Sequence, residues 1–109
     1  MVDLVIKVEG YRFKASDVVS YYDDTDYEDE YIVNCKIYIK LKKDGITIDY
    51  GTFNSYYEEN RKYIKEAQIK IGETLNIIDR QMDEYQRLVN EFNMLKAQSG
   101  GFNSGNIRR

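Results

Sequence analysis

The sequence predicts an α+β fold, with an N-terminal antiparallel β-meander of about four strands and then one long C-terminal amphipathic α-helix that self-associates. Two observations support this prediction. Apolar residues alternate with period two through the first half of the chain, which is typical of half-buried strands. In the second half they recur with spacings of three and four over about three heptads. We expect one domain over 1–98, with the sheet in 1–53 and the helix in 55–98.

The first two strands form a predicted hairpin. Alternate residues of Val2–Val8 are apolar, and the alternation resumes in Tyr11–Lys14. Glu9-Gly10 between them is a turn signal. The pattern of 15–22 is ambiguous, because its adjacent valines fit either a strand or a short turn.

The clearest strand runs from Tyr31 to Leu41, where every odd-numbered residue is apolar or cysteine. Asp44-Gly45 then predicts a two-residue hairpin turn, since both residue types tolerate a positive φ. A fourth strand follows over 46–50 with the same alternation. One face of this meander is apolar and has to be covered.

The helix has a predicted start and a predicted end. Ser55 and Glu58 have the spacing of a capping box. The heptad phase continues through Gly72 without a slip, which favours one continuous helix over a helical hairpin that breaks there. Ser99-Gly100-Gly101 predicts the end of the helix, and 99–109 is expected to be a flexible tail.

The length of the helix predicts self-association. A helix of this length spans roughly 65 Å, whereas strands of about 7–10 residues span roughly 25–33 Å. About half of the helix, from about Ile71 onward, is therefore expected to lie beyond its own sheet and to pair as a coiled coil in a homodimer or higher oligomer. A break near Gly72 would instead give a compact monomer. The predicted interface residues are Ile71, Leu75, Ile78, Met82, Tyr85, Val89 and Phe92.

Composition excludes several chemistries. The chain has no histidine and one cysteine, so a Ser-His-Asp triad, a Cys-His pair and a cysteine-rich zinc site cannot form within it. We therefore expect no enzyme activity, no cofactor and no metal, and a buried, unreactive Cys35. The net charge of −3 gives no general attraction to nucleic acid. No apolar run is long enough to span a membrane and no signal peptide is evident, so we expect a cytoplasmic protein.

An acidic segment rich in tyrosine is the most distinctive local feature, and we expect it to be a loop because like charges repel. It has three interpretations: a solvated mobile loop, a calcium site, or a surface that recognises a basic partner protein. The calcium pattern fits poorly, because Asp29 stands where an EF-hand has glycine and Cys35 where it has the final glutamate. The residues predicted to bind a partner are Asp23, Asp24, Asp26, Tyr27, Glu28, Asp29 and Glu30.

A second candidate site surrounds the first helical turns. Tyr56, Tyr57, Arg61 and Tyr63 combine stacked aromatic rings, a guanidinium group and a helix N-terminus, which together could hold an anionic or nucleotide-like ligand. The alternative is that these tyrosines are structural.

These observations favour a non-enzymatic, self-associating protein that binds another macromolecule through its sheet and acidic segment. The abundance of Lys, Ile, Tyr, Asn, Asp and Glu resembles many small proteins of phages and mobile elements in AT-rich bacteria, a resemblance of composition alone. It suggests an inhibitor of a host system. Two alternatives stay open: a protein that sequesters a small ligand in a pocket between subunits, and a structural or adaptor component of a phage-type assembly.

Overall fold

The computed structural model describes the backbone of residues 2–104 and the side chains of residues 2–98. It is an α+β fold, with antiparallel strands first and one long helix last, as the sequence predicts. The described chain is extended, measuring 76 × 24 × 23 Å. The elements are β1 (Val5–Val8), β2 (Tyr11–Lys14), β3 (Val18–Asp23), β4 (Asp26–Tyr27), β5 (Ile32–Leu41), β6 (Gly45–Asn54) and α1 (Arg61–Ser104), with short 3-10 turns at Ala15–Asp17 and Glu58–Asn60.

Six strands form two sheets, which corrects the prediction of a single meander of about four strands. Strands β1 and β2 form a two-stranded sheet of their own, and β5 is the centre of the second sheet. The predicted turn between β1 and β2 is confirmed, because Glu9 has φ 49° and Gly10 has φ 81°. Two successive positive φ angles give the turn that matches the twist of a two-residue hairpin.

The expectation of a loop over 23–30 is correct only in part, because Asp23 ends β3 and Asp26–Tyr27 form β4, whereas 24–25 and 28–30 lie outside the strands. Strands β3 and β4 pair with β5 in one register from Ser20 to Tyr27, and the Asp24 amide between them donates to Lys36 O. Carboxylates two residues apart on one strand face are separated by roughly 7 Å. Because water screens charges at that distance, their repulsion is too weak to prevent the pairing.

Strand β5 confirms the predicted alternation, since Val33, Cys35, Ile37 and Ile39 are all buried. The turn that follows differs from the prediction. The Leu41 amide donates to Asp44 O at 2.8 Å, so the two linking residues are lysines 42 and 43. Gly45 instead lies in β6, where a Cβ would overlap the ring of Tyr38.

The predicted capping box is wrong. Ser55 does not cap the helix, because its hydroxyl donates to the carbonyl oxygen of Tyr31 at 2.9 Å. The chain then passes through the 3-10 turn Glu58–Asn60 before α1 begins at Arg61. The Ser55 hydroxyl is therefore bonded to the turn before β5, and it does not serve as the helix cap that the sequence pattern predicts.

Helix α1 continues through Gly72 without a break, as predicted. The helix extends to Ser104, the last residue that the structure describes, and so continues beyond the predicted Ser99-Gly100-Gly101 stop. Each glycine disfavours a helix by about 1 kcal/mol relative to alanine, but it keeps the backbone donor that proline lacks, so it does not have to end the helix. The remainder of the predicted tail, 105–109, lies outside the described residues.

The core lies between the two sheets and the first part of the helix. Ile71 and Ile78 are buried there, and Met82 and Tyr85 pack against the same cluster. The expectation that the helix is uncovered from about Ile71 onward is therefore wrong: it is exposed throughout 91–98.

The reason is the two-stranded β1–β2 sheet, which extends the cover along the helix. The Lys7 amide donates to Gln81 Oε1 at 3.0 Å, and Gln81 Nε2 donates to Lys7 O at 2.9 Å. These two bonds attach the β1–β2 hairpin to α1 beyond Ile78, the last fully buried residue of the helix.

Candidate functional site

Two predicted sites, far apart in the sequence, meet at one end of the larger sheet. The Ser55 amide and hydroxyl both donate to Tyr31 O, at 2.8 and 2.9 Å. These bonds join the turn at the end of β4 to the segment that leads into the helix. We name this surface, formed by residues 28–31 and 55–59, the tyrosine end.

Three exposed tyrosines form a chain of ring contacts across the tyrosine end. The Tyr31 and Tyr56 ring centroids are 5.2 Å apart with planes at 75°, and those of Tyr56 and Tyr57 are 5.5 Å apart at 87°. Edge-to-face geometry of this kind is favourable for aromatic pairs. The three residues are nevertheless 41%, 64% and 52% exposed, so each keeps a large part of its surface in contact with solvent. Contacts that order the rings while leaving them exposed suit a binding surface.

The acidic residues predicted to bind a partner fall into two groups. Asp23 accepts a hydrogen bond from the Thr25 amide, and Asp26 accepts one from the Asn34 side chain. Asp29 Oδ1 accepts from the backbone amides of residues 31 and 32, which holds the pKa of Asp29 below its ordinary value. These three carboxylates stabilise the local fold, so they are poor candidates for binding a partner.

Glu28 and Glu30 form the second group and are exposed at the tyrosine end. Among the described side chains, neither carboxylate takes part in a hydrogen bond or an ion pair. Glu58 and Glu59 are exposed where the 3-10 turn follows Tyr57, so the tyrosine end carries four exposed glutamates. Sequence reasoning missed Glu58 and Glu59, because the register of the strands places them on the same surface as Glu28 and Glu30.

The other residues of the predicted sites lie nearby on the same part of the molecule. Tyr27 in β4 is exposed, and Asp24 is half-buried between β3 and β4. Tyr63 stacks on Phe53 with planes at 14°, and Lys62 Nζ lies 5.1 Å from the centre of the Tyr63 ring. Arg61 is exposed where the helix begins.

Tyr63 thus contacts Phe53 of β6 and Lys62, whereas Tyr56 contacts Tyr31 and Tyr57 contacts Tyr56. The predicted ligand-binding set is therefore divided between two aromatic clusters. A cavity of about 430 Å³ lies elsewhere, beside Tyr50 and Thr74, whose hydroxyl groups are 2.5 Å apart.

The predicted interface residues of the helix differ in their burial. Ile71 and Ile78 are buried in the chain's own core, so their surfaces are already occupied. Leu75, Met82 and Tyr85 pack partly against the same core. The remaining two lie further along the helix, where Val89 is half-buried and Phe92 is exposed.

The apolar surface of the helix continues beyond the predicted set. Leu88 is half-buried, and Met94 and Leu95 are exposed. The surface that is open to a second copy therefore begins after Tyr85.

Cys35 is buried in β5, and burial raises the pKa of its thiol. Among the described residues, no cluster of three or more Cys, Asp or Glu side chains has the geometry to hold a metal ion. No helix within the described part of the chain combines the length and the apolar character needed to cross a membrane. Comparison of the chain with protein-family models, with curated proteins and with solved structures finds no match.

Proposed function

We propose that this is a non-enzymatic, self-associating protein that binds a basic surface of another protein through the tyrosine end. The observation that carries the proposal is the chain of exposed rings formed by Tyr31, Tyr56 and Tyr57, bordered by exposed glutamates. Binding would block the partner surface, which is the action of an inhibitor of the kind that phages and mobile elements encode.

The two chemical components of this surface have different tasks. Tyrosine has few rotatable bonds, so it loses little conformational entropy when a partner covers it, and aromatic residues are enriched in the energetically dominant part of interfaces. Exposed carboxylates around such a centre attract a basic partner and increase its association rate. Glu28 and Glu30 suit this second task because they have no structural partners among the described side chains.

The test uses an arginine-rich peptide as a substitute for the basic partner and NMR amide shifts as the readout. We expect shifts confined to the tyrosine end and neighbouring Tyr63, with an affinity that falls as salt increases. Tyr56→Ala should weaken binding about tenfold, as expected of a central aromatic contact. An acidic peptide of equal length should cause no shifts.

A charge-matched pair of variants separates a specific surface from general acidity. Glu28→Lys with Glu30→Lys should weaken binding about tenfold through lost attraction. Glu66→Lys with Glu73→Lys, on exposed positions of the helix, changes the net charge equally and should leave the affinity within about twofold. Equal weakening by both pairs, or shifts spread over all acidic surfaces, would contradict the proposal.

Self-association is measured separately by sedimentation velocity. We expect a dimer or higher oligomer that dissociates when Leu95, an exposed apolar residue of the helix, is replaced by glutamate. Ile69→Glu is the matched control because Ile69 is also exposed and apolar, but lies about 180° around the helix from Ile78. A monomeric wild-type protein would overturn this part of the proposal.

Native mass spectrometry distinguishes the alternative functions. A small molecule retained by the oligomer would favour a ligand-sequestering protein, and its mass would identify it. Rings or filaments without affinity for basic peptides would favour a structural component of an assembly.

A further inference from the structure

The larger sheet has an outer face, which points away from the helix. In β5 the side chains of Ile37 and Ile39 are buried against the core, whereas the even-numbered residues of the strand point to the opposite side. The strand register adds residues of β3 and β6 to the same face, and none of its residues is buried. The side chains of the outer face are therefore accessible to a ligand.

Two tyrosine rings lie next to each other on the outer face. Tyr22 of β3 is the cross-strand partner of Tyr38 of β5, with ring centroids 5.8 Å apart and ring planes inclined at 58°. The Tyr38 ring also lies over Gly45 of β6, where a Cβ would overlap it, so the ring leans across the sheet. Tyr22 is 47% exposed. Rings held in this way can serve as a platform on which flat groups stack.

Lysines surround the two rings. Lys36 and Lys40 lie two residues before and two residues after Tyr38 on the same face of β5. Residues 42 and 43, both lysine, form the turn that follows this strand. Among the described side chains, none of these four ammonium groups takes part in a hydrogen bond or an ion pair. Their positive charge is therefore available to an anion.

Carboxylates limit where this positive charge acts. Asp24 and Asp49 flank Lys36 on the neighbouring strands, so the middle of the outer face has no excess of positive charge. A cavity of about 390 Å³ lies beside the turn and is lined by Leu41 and by five charged residues, Lys14, Asp17, Lys42, Lys43 and Asp44. Together with Lys40, the turn therefore presents four lysines and two aspartates. An anion is favoured beside the turn and disfavoured beside Asp24.

We propose that the outer face binds a short stretch of single-stranded nucleic acid, with bases stacked on Tyr22 and Tyr38 and phosphates beside the lysines of the turn. The inference goes beyond the proposed function and uses no residue of the tyrosine end. Aromatic rings next to a positively charged surface are the two components with which proteins hold a single strand. The net charge of −3 gives no long-range attraction, so these contacts have to supply the affinity.

The geometry of the rings favours a single strand over a duplex. Two bases that stack on planes inclined at 58° cannot at the same time stack on each other. In a duplex each base is stacked on its neighbours, whereas the bases of a single strand can be splayed apart onto aromatic side chains. An acidic protein segment would match the lysines, but its carboxylates offer nothing that stacks on the rings.

Fluorescence anisotropy of the full chain tests the proposal, with a labelled oligothymidylate of about eight nucleotides, a length within the site sizes of single-strand binding domains. We expect saturable binding at low salt. The dissociation constant should rise with salt with a logarithmic slope of about 2, as expected for about three phosphate contacts. A hairpin duplex of similar size should bind at least about tenfold more weakly, because its bases are not free to stack on the protein.

Matched variants separate the contributions of stacking and charge. Tyr22→Ala should weaken binding about fivefold or more, whereas Tyr22→Phe keeps the ring and should bind almost normally. Lys42→Glu with Lys43→Glu should weaken binding about tenfold through lost phosphate contacts. Lys65→Glu with Lys70→Glu, at exposed positions of the helix, changes the net charge equally and should leave the affinity within about twofold.

Several results would overturn the proposal. Absence of binding at low salt would do so directly, and equal weakening by both lysine pairs would reduce the interaction to general charge. Equal affinity for the hairpin duplex, or for thymidine monophosphate alone, would show that a single strand is not the ligand. All four substituted lysines are exposed, so these variants should fold, and NMR amide spectra check this. Binding of the arginine-rich peptide at the tyrosine end is a separate measurement, so the two proposals can fail independently.

Discussion

Helix α1 has two regions with the same apolar spacing and opposite surroundings. In 61–85 the stripe faces the two sheets, and Ile78 is completely buried. In 86–98 the stripe continues on almost the same side of the helix at Val89 and Phe92, yet Phe92 is 41% exposed. The difference lies in what is available to cover the helix, because the β1–β2 hairpin ends its contact near Gln81.

This comparison shows what a heptad pattern determines. It identifies the face of the helix whose exposure to water is unfavourable, since the burial of each large apolar side chain stabilises the fold by roughly 1.5–3 kcal/mol. It does not identify the surface that covers that face. The same repeat is buried within the chain at Ile71 and left 41% exposed at Phe92.

The largest expected effect is a difference in stability between the two regions. Ile78→Ala should lower the free energy of unfolding by about 2–5 kcal/mol, because it removes buried methyl groups and leaves a cavity. Leu95→Ala should change it by less than about 0.5 kcal/mol in the monomer, since the side chain is exposed. Urea unfolding at concentrations low enough to dissociate any oligomer measures both.

Leu95→Ala should instead weaken self-association in sedimentation velocity, whereas a protein that retains its fold after Ile78→Ala should associate normally. If the two substitutions destabilised the monomer equally, the division of the helix into a covered and an uncovered region would be wrong.

The elements that sequence predicted well are those set by neighbouring residues. Glu9-Gly10 forms the predicted turn because both residues adopt the positive φ angles that a two-residue hairpin of this kind needs. The odd-numbered face of β5 is buried because a strand alternates with period two wherever one face is covered. The unbroken helix followed from the absence of proline and from a phase that Gly72 does not disturb.

The elements that sequence predicted wrongly depend on contacts with distant residues. Ser55 has the spacing of a helix cap, but its hydroxyl donates to the carbonyl oxygen of Tyr31, in the turn before β5. Asp44-Gly45 has the composition of a turn, but the register of β5 with β6 moves the turn to the two preceding lysines. Such local preferences for a helix cap or a turn are weak, so a contact that only the folded chain provides easily overrides them.

The candidate site shows the same limit. Its two components, the acidic residues around Glu28 and the aromatic residues around Tyr56, were each recognisable from composition. The contact between the two segments was not recognisable from the sequence, because it depends on the turn between β4 and β5 lying beside the end of β6. The division of the acidic residues was also hidden, since only the fold shows that Asp29 holds a turn and Glu30 does not.

An intermediate effect is expected where the hairpin meets the helix. Gln81→Ala removes both hydrogen bonds to the backbone of Lys7 and should lower the free energy of unfolding by about 1–2 kcal/mol. Gln86→Ala is the control from the uncovered region, because Gln86 bonds only to the exposed side chain of Asn90 and should have almost no effect. Hydrogen exchange at the Lys7 amide should become faster in the first variant alone. Unchanged exchange there would mean that the amide of Gln81 does not hold the hairpin.

The smallest effect concerns a polar contact of the covered region and depends on pH. Tyr21 donates its phenolic proton to Asp79 Oδ1 at 2.6 Å. Burial, together with the bond to Asp79 and the nearby charge of Asp83, raises the pKa of Tyr21 from 10.0 to about 12. A raised pKa means that the folded state holds the proton more tightly than the unfolded state. The resulting stability is complete below pH 10 and is lost as the pH rises towards 12.

Tyr21→Phe should therefore lower the free energy of unfolding by about 1 kcal/mol at pH 8, and this difference from the unsubstituted protein should shrink between pH 10 and 12. Paired urea titrations at pH 8 and 11 measure the difference. Phenylalanine keeps the aromatic ring, so the comparison isolates the hydroxyl group. A gap that stays constant with pH would contradict the link between this stability and the proton that Tyr21 donates to Asp79. The uncovered region contains no equivalent contact among its described side chains, since Arg87 there pairs only with Glu84 and Glu91 of the same helix.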